Sequence, residues 1–334
     1  MEKDKSDDKP LLTLGEIAPD GDIILVIGAS QARLCVHSCL LKTASRVFKA
    51  MFGPHFSEGQ KTDPNDSKKE VLLPEDDVSA MMTICAVIHH RNDVIPEELT
   101  STAILQISIV ADKYDCIIAL THAIHHWLDH RGTMSIKELT TLMAAAYLFD
   151  NAQAFSKITF TMLMEHAASY LPFAQEPIDL GMPWEVFCES IYDQGYSLLL
   201  IYTIDMLEEK RSSINKQLDW ILSIRYNYED CSCGFSGKTT YSYLSLLDRE
   251  KLLPSLYPTH RTIGDRIKTA EQMGLPSPVE SNKDCENYRR HRESYSKEWT
   301  LKALQELKNG KGICIDCIFN SGGNDGATLC RIKH

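Results

Sequence analysis

The stretch Asp22-Ile-Ile-Leu-Val-Ile27-Gly-Ala-Ser-Gln-Ala-Arg33-Leu-Cys-Val-His37-Ser38 decides how the chain is read. Two short apolar or alternating runs, Ile23 to Ile27 and Arg33 to Val36, flank Gly28-Ala29-Ser30, and that pattern predicts strand, turn, strand. A hairpin is expected. At His37-Ser38 the period changes: Leu40, Leu41, Ala44, Val47, Phe48 and Met51 recur at helical spacing, with Ser38 available as N-cap. Glu70 to Leu73 reads as a third strand. Beyond it, Val78, Met81, Cys85 and Ile88 form one helical stripe, Ile104, Ile107, Ala111 and Tyr114 a second, and Ile117, Leu120, Ile124 and Trp127 a third. Three strands interleaved with about five helices over roughly a hundred residues predict one α+β domain.

These residues, with Phe48-Lys-Ala-Met51-Phe52-Gly53-Pro54, Ser57-Glu58-Gly59, Leu73-Pro74-Glu75-Asp76-Asp77 and Ala111-Asp-Lys-Tyr114, resemble the BTB/POZ fold, and are most similar to the fungal BTB proteins. The resemblance covers residues 19–131. It implies a protein-binding platform rather than an enzyme, with self-association through the strand and helix around Asp22 to Met51. In that family the counterparts of Asp22 and His37 lie close together near the dimer interface, so the resemblance makes them a structural pair. Ser38, Leu41, Phe48, Met51 and Phe52 are then expected at or around the same interface. Many BTB proteins are substrate adaptors of cullin ubiquitin ligases, with a hydrophobic-x-acidic motif early in the helix after the third strand. Here the matching positions read Met81-Met82-Thr83, without the acidic residue.

Along the rest of the chain, residues 1–18 are charged and expected to be disordered. Ser57 to Lys69 reads as a polar, exposed loop. Residues 132–228 read as a helical, BACK-like region: Leu139, Leu142, Ala146 and Phe149 share one face, and Phe155, Ile158 and Met162 another, with Asp150-Asn151 as the turn. A second helical group opens at Gly181-Met-Pro183-Trp184, with Ile214, Leu218 and Ile221 on one stripe. Residues 229–334 are rich in Cys, Pro and Gly and weak in periodicity.

The 11 cysteines divide in the same way. Cys35, Cys39, Cys85, Cys116 and Cys188 are scattered singly among apolar residues, where a thiol acts as a small hydrophobe. The other six fall after residue 229, and clustered cysteines in an intracellular chain point to metal more often than to disulfides. Cys314-x2-Cys317-x12-Cys330-x3-His334 has the spacing by which two thiolates grip one ion from a tight knuckle while a Cys/His pair completes the tetrahedron, so Zn²⁺ is the candidate cofactor. The alternative is a buried strand through Ile313, Ile315 and Ile318 whose thiols pack. Cys231, Cys233 and Cys285, with a histidine such as His291, form a weaker second set. The last pieces, Gly312-Ile-Cys314-Ile-Asp-Cys317 and Cys330-Arg-Ile-Lys-His334, also look like the tails of some fungal BTB proteins.

Other features exclude more than they assign. With 334 residues, 43% hydrophobic and 24% charged, the chain can bury a real core and divides into two or three domains. Its longest apolar run, around Leu198 to Ile204, is far short of a membrane span, and its start lacks an apolar signal core, so an intracellular location is expected. A net charge of −11 argues against a dominant nucleic-acid surface. Arg289-Arg290-His291-Arg292 is the densest basic run and reads as a solvated helix face, with a zinc-bearing, nucleic-acid or chromatin-contacting tail as the remote alternative. His122, His126 and His130 lie at i, i+4 and i+8 opposite an apolar stripe and read as an exposed polar face, while His89-His90 ends a helix where a cationic side chain is favoured. Phosphate-loop, Gly-x-Ser-x-Gly, His-Glu-x-x-His and kinase signatures are not found, so no catalytic residue is assigned.

Overall fold

In the computed structural model the residues described are 17–55, 68–129, 132–171, 196–223, 233–253, 261–276, 279–280, 283–286, 297–320 and 330–332, with the backbone alone for 196–201 and 319–320. Nearly all of the charged amino-terminal stretch, most of the polar loop after Phe56, Gly181 to Trp184, His130, Cys188 and Arg289 to Arg292 lie outside them. The chain is mixed α+β. It divides into two compact units, one ending at Ala154 and the other beginning at Phe155.

In the amino-terminal unit the hairpin forms as the apolar runs require. Strand β1 (Ile23–Ile27) pairs antiparallel with β2 (Ala32–Val36), Ile23 facing Val36 and Ile27 facing Ala32. Strand β3 (Lys69–Leu73) lies parallel on the other edge of β1, giving the order β2-β1-β3. The central strand buries Ile23, Leu25, Val26 and Ile27, whereas β3 buries only Val71 and Leu73 and leaves Leu72 71% exposed. That contrast is the one expected between a central and an edge strand. Gly28 ends β1 at φ +67°, a left-handed conformation that favours glycine, and its N–H donates to the carbonyl of Leu73.

The helical stripe from Leu40 to Met51 does not belong to one helix. Helix α1 (Ser38–Ala44) and helix α2 (Arg46–Met51) are separated by Ser45, which is extended at φ −143° and ψ 129°. Its Oγ accepts from the N–H of Phe48 at 2.9 Å, capping α2, and donates to the carbonyl of Tyr114. The cap position of α1, expected at Ser38, falls at His37, whose side chain makes no capping bond; the side-chain cap at Ser45 belongs to α2. Ser38 is already the first helical residue, and its hydroxyl is engaged elsewhere. The break lets Leu41 and Phe48 both point inward with no exposed area, and Phe48 stacks on Tyr114 at 4.5 Å and on Phe52 at 5.6 Å. Beneath this stack Tyr114 donates to Asp76 Oδ2 at 2.5 Å while Lys113 Nζ sits 2.7 Å from Oδ1. A carboxylate only 6% exposed is thus paired on both oxygens.

Helix α3 (Val78–Ile88) starts at Asp77, whose carboxylate accepts from the N–H of Ala80. Helix α4 (Ser101–Lys113) packs on it. The third stripe is split by a 3₁₀ turn at Ile117–Leu120 before α5 (Thr121–Leu128). Leu120 and Ile124 are buried and His122, His125 and His126 exposed, but Ile118 stands 87% exposed. Helix α6 (Ile136–Leu148) opens with a capping box between Ser135 and Glu138 and lies against α4, within the same unit as the sheet. Helix α7 (Ala152–Glu165) follows the turn at Asp150, where φ is +49°, and buries Phe155, Ile158 and Met162.

In the carboxy-terminal unit, α8 (Tyr196–Leu222) buries Ile214, Leu218 and Ile221, the predicted stripe. Where periodicity looked weak, the structure places α9 (Phe235–Arg249), α10 (Ile263–Gln272), α11 (Lys297–Lys308) and α12 (Ile315–Asn320). Helices α10, α11 and α12 all pack on α8. The α8 and α10 pair is held by Arg266, 4% exposed, which donates to Asn215 Oδ1 and Asp219 Oδ1, each at 2.6 Å. Among the described residues, no helix is long and apolar enough to cross a membrane.

Candidate functional site

Two places gather the residues that the sequence marks out, one in each unit. The first is the corner where β1 begins and α1 begins. The carboxylate of Asp22 accepts from the backbone N–H of Ser38 and from its Oγ, both at 2.6 Å, so one acidic side chain ties the strand to the first turn of the helix. Burial pushes the pKa of Asp22 up, but the two bonds from Ser38 and the neighbouring His37 outweigh it and hold the carboxyl below its ordinary value.

His37, near enough to Asp22 to act on its charge, also meets other partners. Its Nε2 lies 3.3 Å from Asp20, its ring stacks on His89 at 5.9 Å, and its backbone N–H donates to His89 Nε2 at 2.9 Å. His89 Nδ1 is 2.8 Å from the carbonyl of Cys85. Accepting at Nε2 while donating at Nδ1 fixes one neutral tautomer. His89 therefore closes the end of α3 uncharged rather than as a cation. Its pKa is lowered by burial first, with the nearby His37 and His90 adding to the effect.

Of the other residues expected at a self-association surface, Leu41, Phe48 and Phe52 are interior, because the break at Ser45 turns them into the core. They shape this face from beneath. Cys39 and Thr43 of α1 are exposed, and Leu40, Ala44 and Met51 half-buried. Met81 and Thr83, which stand where a cullin-binding motif would, are buried, and Thr83 Oγ1 donates to the Ser79 carbonyl within its own helix.

The second place is at the end of the chain. Cys314, Cys317 and Cys330 bring their sulfur atoms within 4.8 Å of one another, a group of three thiols within metal-binding distance. Cys317 Sγ and Cys330 Sγ are 3.7 Å apart, and none of the three cysteines is in a disulfide. Cys314 is buried and the other two half-buried. The thiol of Cys317 is pushed up to about 12, by burial first and then by the neighbouring sulfurs of Cys330 and Cys314, which oppose a second negative charge beside them.

Local sequence explains the placement. Gly312 passes so close to α7 that a Cβ there would overlap the Ser156 carbonyl and Thr159 Oγ1, and the N–H of Ile313 donates to that hydroxyl at 2.9 Å. Ile313, Ile315 and Ile318 are buried, as the packing alternative requires, but in a turn and a short helix instead of a strand. The helical rise then sets Cys314 and Cys317 on one side. Cys330 is brought back by Asp316, whose carboxylate accepts from the backbone N–H of Arg331 at 2.8 Å and from its guanidinium at 2.7 and 3.0 Å. The Arg331 side chain holds Asp316 below its ordinary pKa. Sequence reading passed over Asp316, Arg331 and Gly312; the signal available was a carboxylate between two cysteines and an arginine beside the third.

Among the described residues, Cys233 and Cys285 join no group of three such ligands, while Cys231 and His334 lie outside them. The chain matches no model of a known protein family and no curated protein.

Proposed function

We propose that residues 19–131 act as a BTB-type association platform that brings copies of this chain together, and that the carboxy-terminal end is a small zinc-bearing element rather than a centre of turnover. The observation that carries the first half is the Asp22 bridge to Ser38. It joins the start of the central strand to the start of α1 and leaves Cys39 and Thr43 outward beside His37. A helix whose position is fixed by a buried sheet on one side and whose other side stays open suits a partner of the same kind. The test is sedimentation at micromolar concentration. A dimer is expected, reduced to monomer by Thr43→Arg with unchanged circular dichroism, and a monomer throughout the accessible range overturns the reading.

Zinc suits the thiol group in chemistry and in spacing. Zn–S bonds of about 2.3 Å in a tetrahedron put sulfur atoms about 3.8 Å apart, close to the Cys317 to Cys330 separation. Cys314, Cys317 and Cys330 would be the ligands, leaving one position for a fourth donor. A cation also offsets the repulsion from the neighbouring sulfurs that adds to burial in raising the Cys317 thiol. Metal content of the purified chain by mass spectrometry should be one zinc per molecule, falling to none in Cys317→Ser.

A further inference from the structure

We infer that the cleft between α8 and α11 is a docking groove for an acidic peptide segment of a partner protein. The cleft encloses about 540 Å³, and its floor is the buried Ile214, Ile221 and Leu307. At one end Trp220 and Trp299 meet edge to face at 5.8 Å, and Trp220 is left 57% exposed. Because these rings belong to the last turn of α8 and the first turn of α11, the two helices run antiparallel along the groove. Lys210 and Lys311 therefore come together at the opposite end, and Lys302 stands one turn from Trp299.

The groove is thus aromatic at one end and carries cations along its length, Lys302 beside the rings and Lys210 and Lys311 farther along, with Glu306 one turn beyond Lys302. Among the described residues four charged side chains line it, the cations Lys210, Lys302 and Lys311 and the anion Glu306, on a chain whose total charge is −11. Lys210 and Lys302 have no carboxylate partner among the described residues. That local reversal of sign is what a negatively charged occupant needs. Trp220, exposed beside the half-buried Trp299, is also of the side-chain type enriched where one protein anchors another.

Length and openness select the occupant. Ten residues of α8 separate Lys210 from Trp220, about 15 Å at the helical rise. An extended peptide covers that in about four to five residues. A fatty acid has the same polarity, but it favours an enclosed apolar tunnel, and here Gln217, Glu306 and the exposed face of Trp220 line an open trough. The fitting segment has an aromatic or leucine anchor followed about four residues later by two or three carboxylates.

The test uses the full chain and fluorescein-labelled hexapeptides with one tryptophan, two glycines and three glutamates, against the same peptides with lysine in place of glutamate. Anisotropy should report binding of the glutamate peptide alone, stronger at low salt. The double variant Lys210→Glu, Lys302→Glu changes only exposed positions and should weaken it about tenfold, as expected for two solvent-exposed ion pairs, while gaining affinity for the lysine peptide. Equal binding of both peptides, no binding, or binding undiminished in the double variant overturns the proposal. So does capture of sodium dodecanoate alone, which makes the groove a lipid site, or loss of self-association in the double variant, which makes it an interface between copies.

Discussion

The two ends of the chain solve the problem of buried polar groups in opposite ways. Among the described residues of the amino-terminal unit such groups meet partners from the same unit: Asp76 between Lys113 and Tyr114, Ser45 between Phe48 and Tyr114, Ser38 on Asp22. At the carboxy-terminal end three thiols face one another, and the sulfurs of Cys330 and Cys314 add to burial in making Cys317 harder to ionise. The first arrangement is complete as it stands. The second is a group of three thiols within metal-binding distance, so under the proposed reading the stability of that end depends on the zinc it binds.

Removing the metal should break the symmetry most sharply. Structural zinc contributes on the order of 10 kcal/mol in small zinc-finger peptides, and a chelator is expected to strip the ion, expose residues 297–320 to protease and leave the amino-terminal unit intact. Loss of both protections together would mean that the two regions are not energetically separate. Zinc affinity should also rise with pH, because a proton competes for the Cys317 thiol, whose pKa is raised. Gly312→Ala reaches the same end without touching a ligand, since the added methyl overlaps α7, and should weaken zinc binding in a competition titration.

Phe48→Ala probes the other side of the contrast. Removing a fully buried ring from between Tyr114 and Phe52 should destabilise by about 3–5 kcal/mol, measured by denaturant unfolding, with zinc content unchanged. A change under about 1 kcal/mol would mean that the core collapses around the site.

The smallest effect concerns pH. His89 has a folded pKa below its ordinary value near 6.5, so the stability it contributes is complete above that pH and is lost as pH falls through the folded value. The unfolding midpoint of the amino-terminal unit should decline on acidification in that window, and His89→Gln should flatten the slope, while His90→Gln, which removes only a minor contribution to the lowering, should flatten it far less. Asp22, also lowered, adds its loss only further into acid, below about 3.8.

How much of this was legible varies by element. Ile23 to Ile27 was read to the residue because an apolar run closed by glycine has few alternatives. The helices at Phe235, Ile263 and Lys297 went unread although Phe235, Thr239, Tyr243 and Leu246 are buried at helical spacing. Thr and Tyr diluted the apolar signal there, and the surrounding Cys, Pro and Gly drew the reading towards a loop. The break at Ser45 was hidden for a related reason: the stripe on either side kept its period while one residue left the helical conformation.

By itself the sequence determined the alternation that makes a strand, the three- and four-residue steps that make a helix face, and the short spacing that can set two thiols on one knuckle. These depend on neighbours a few positions apart, whose geometry the backbone fixes. Only the tertiary structure decided that Phe48 stacks on Tyr114, that His37 leans on His89, and that Asp316 draws Arg331 and Cys330 back to Cys317. Those pairings join residues from 13 to 66 positions apart. Over such separations the contact is chosen by how the whole core closes, and no local period records it.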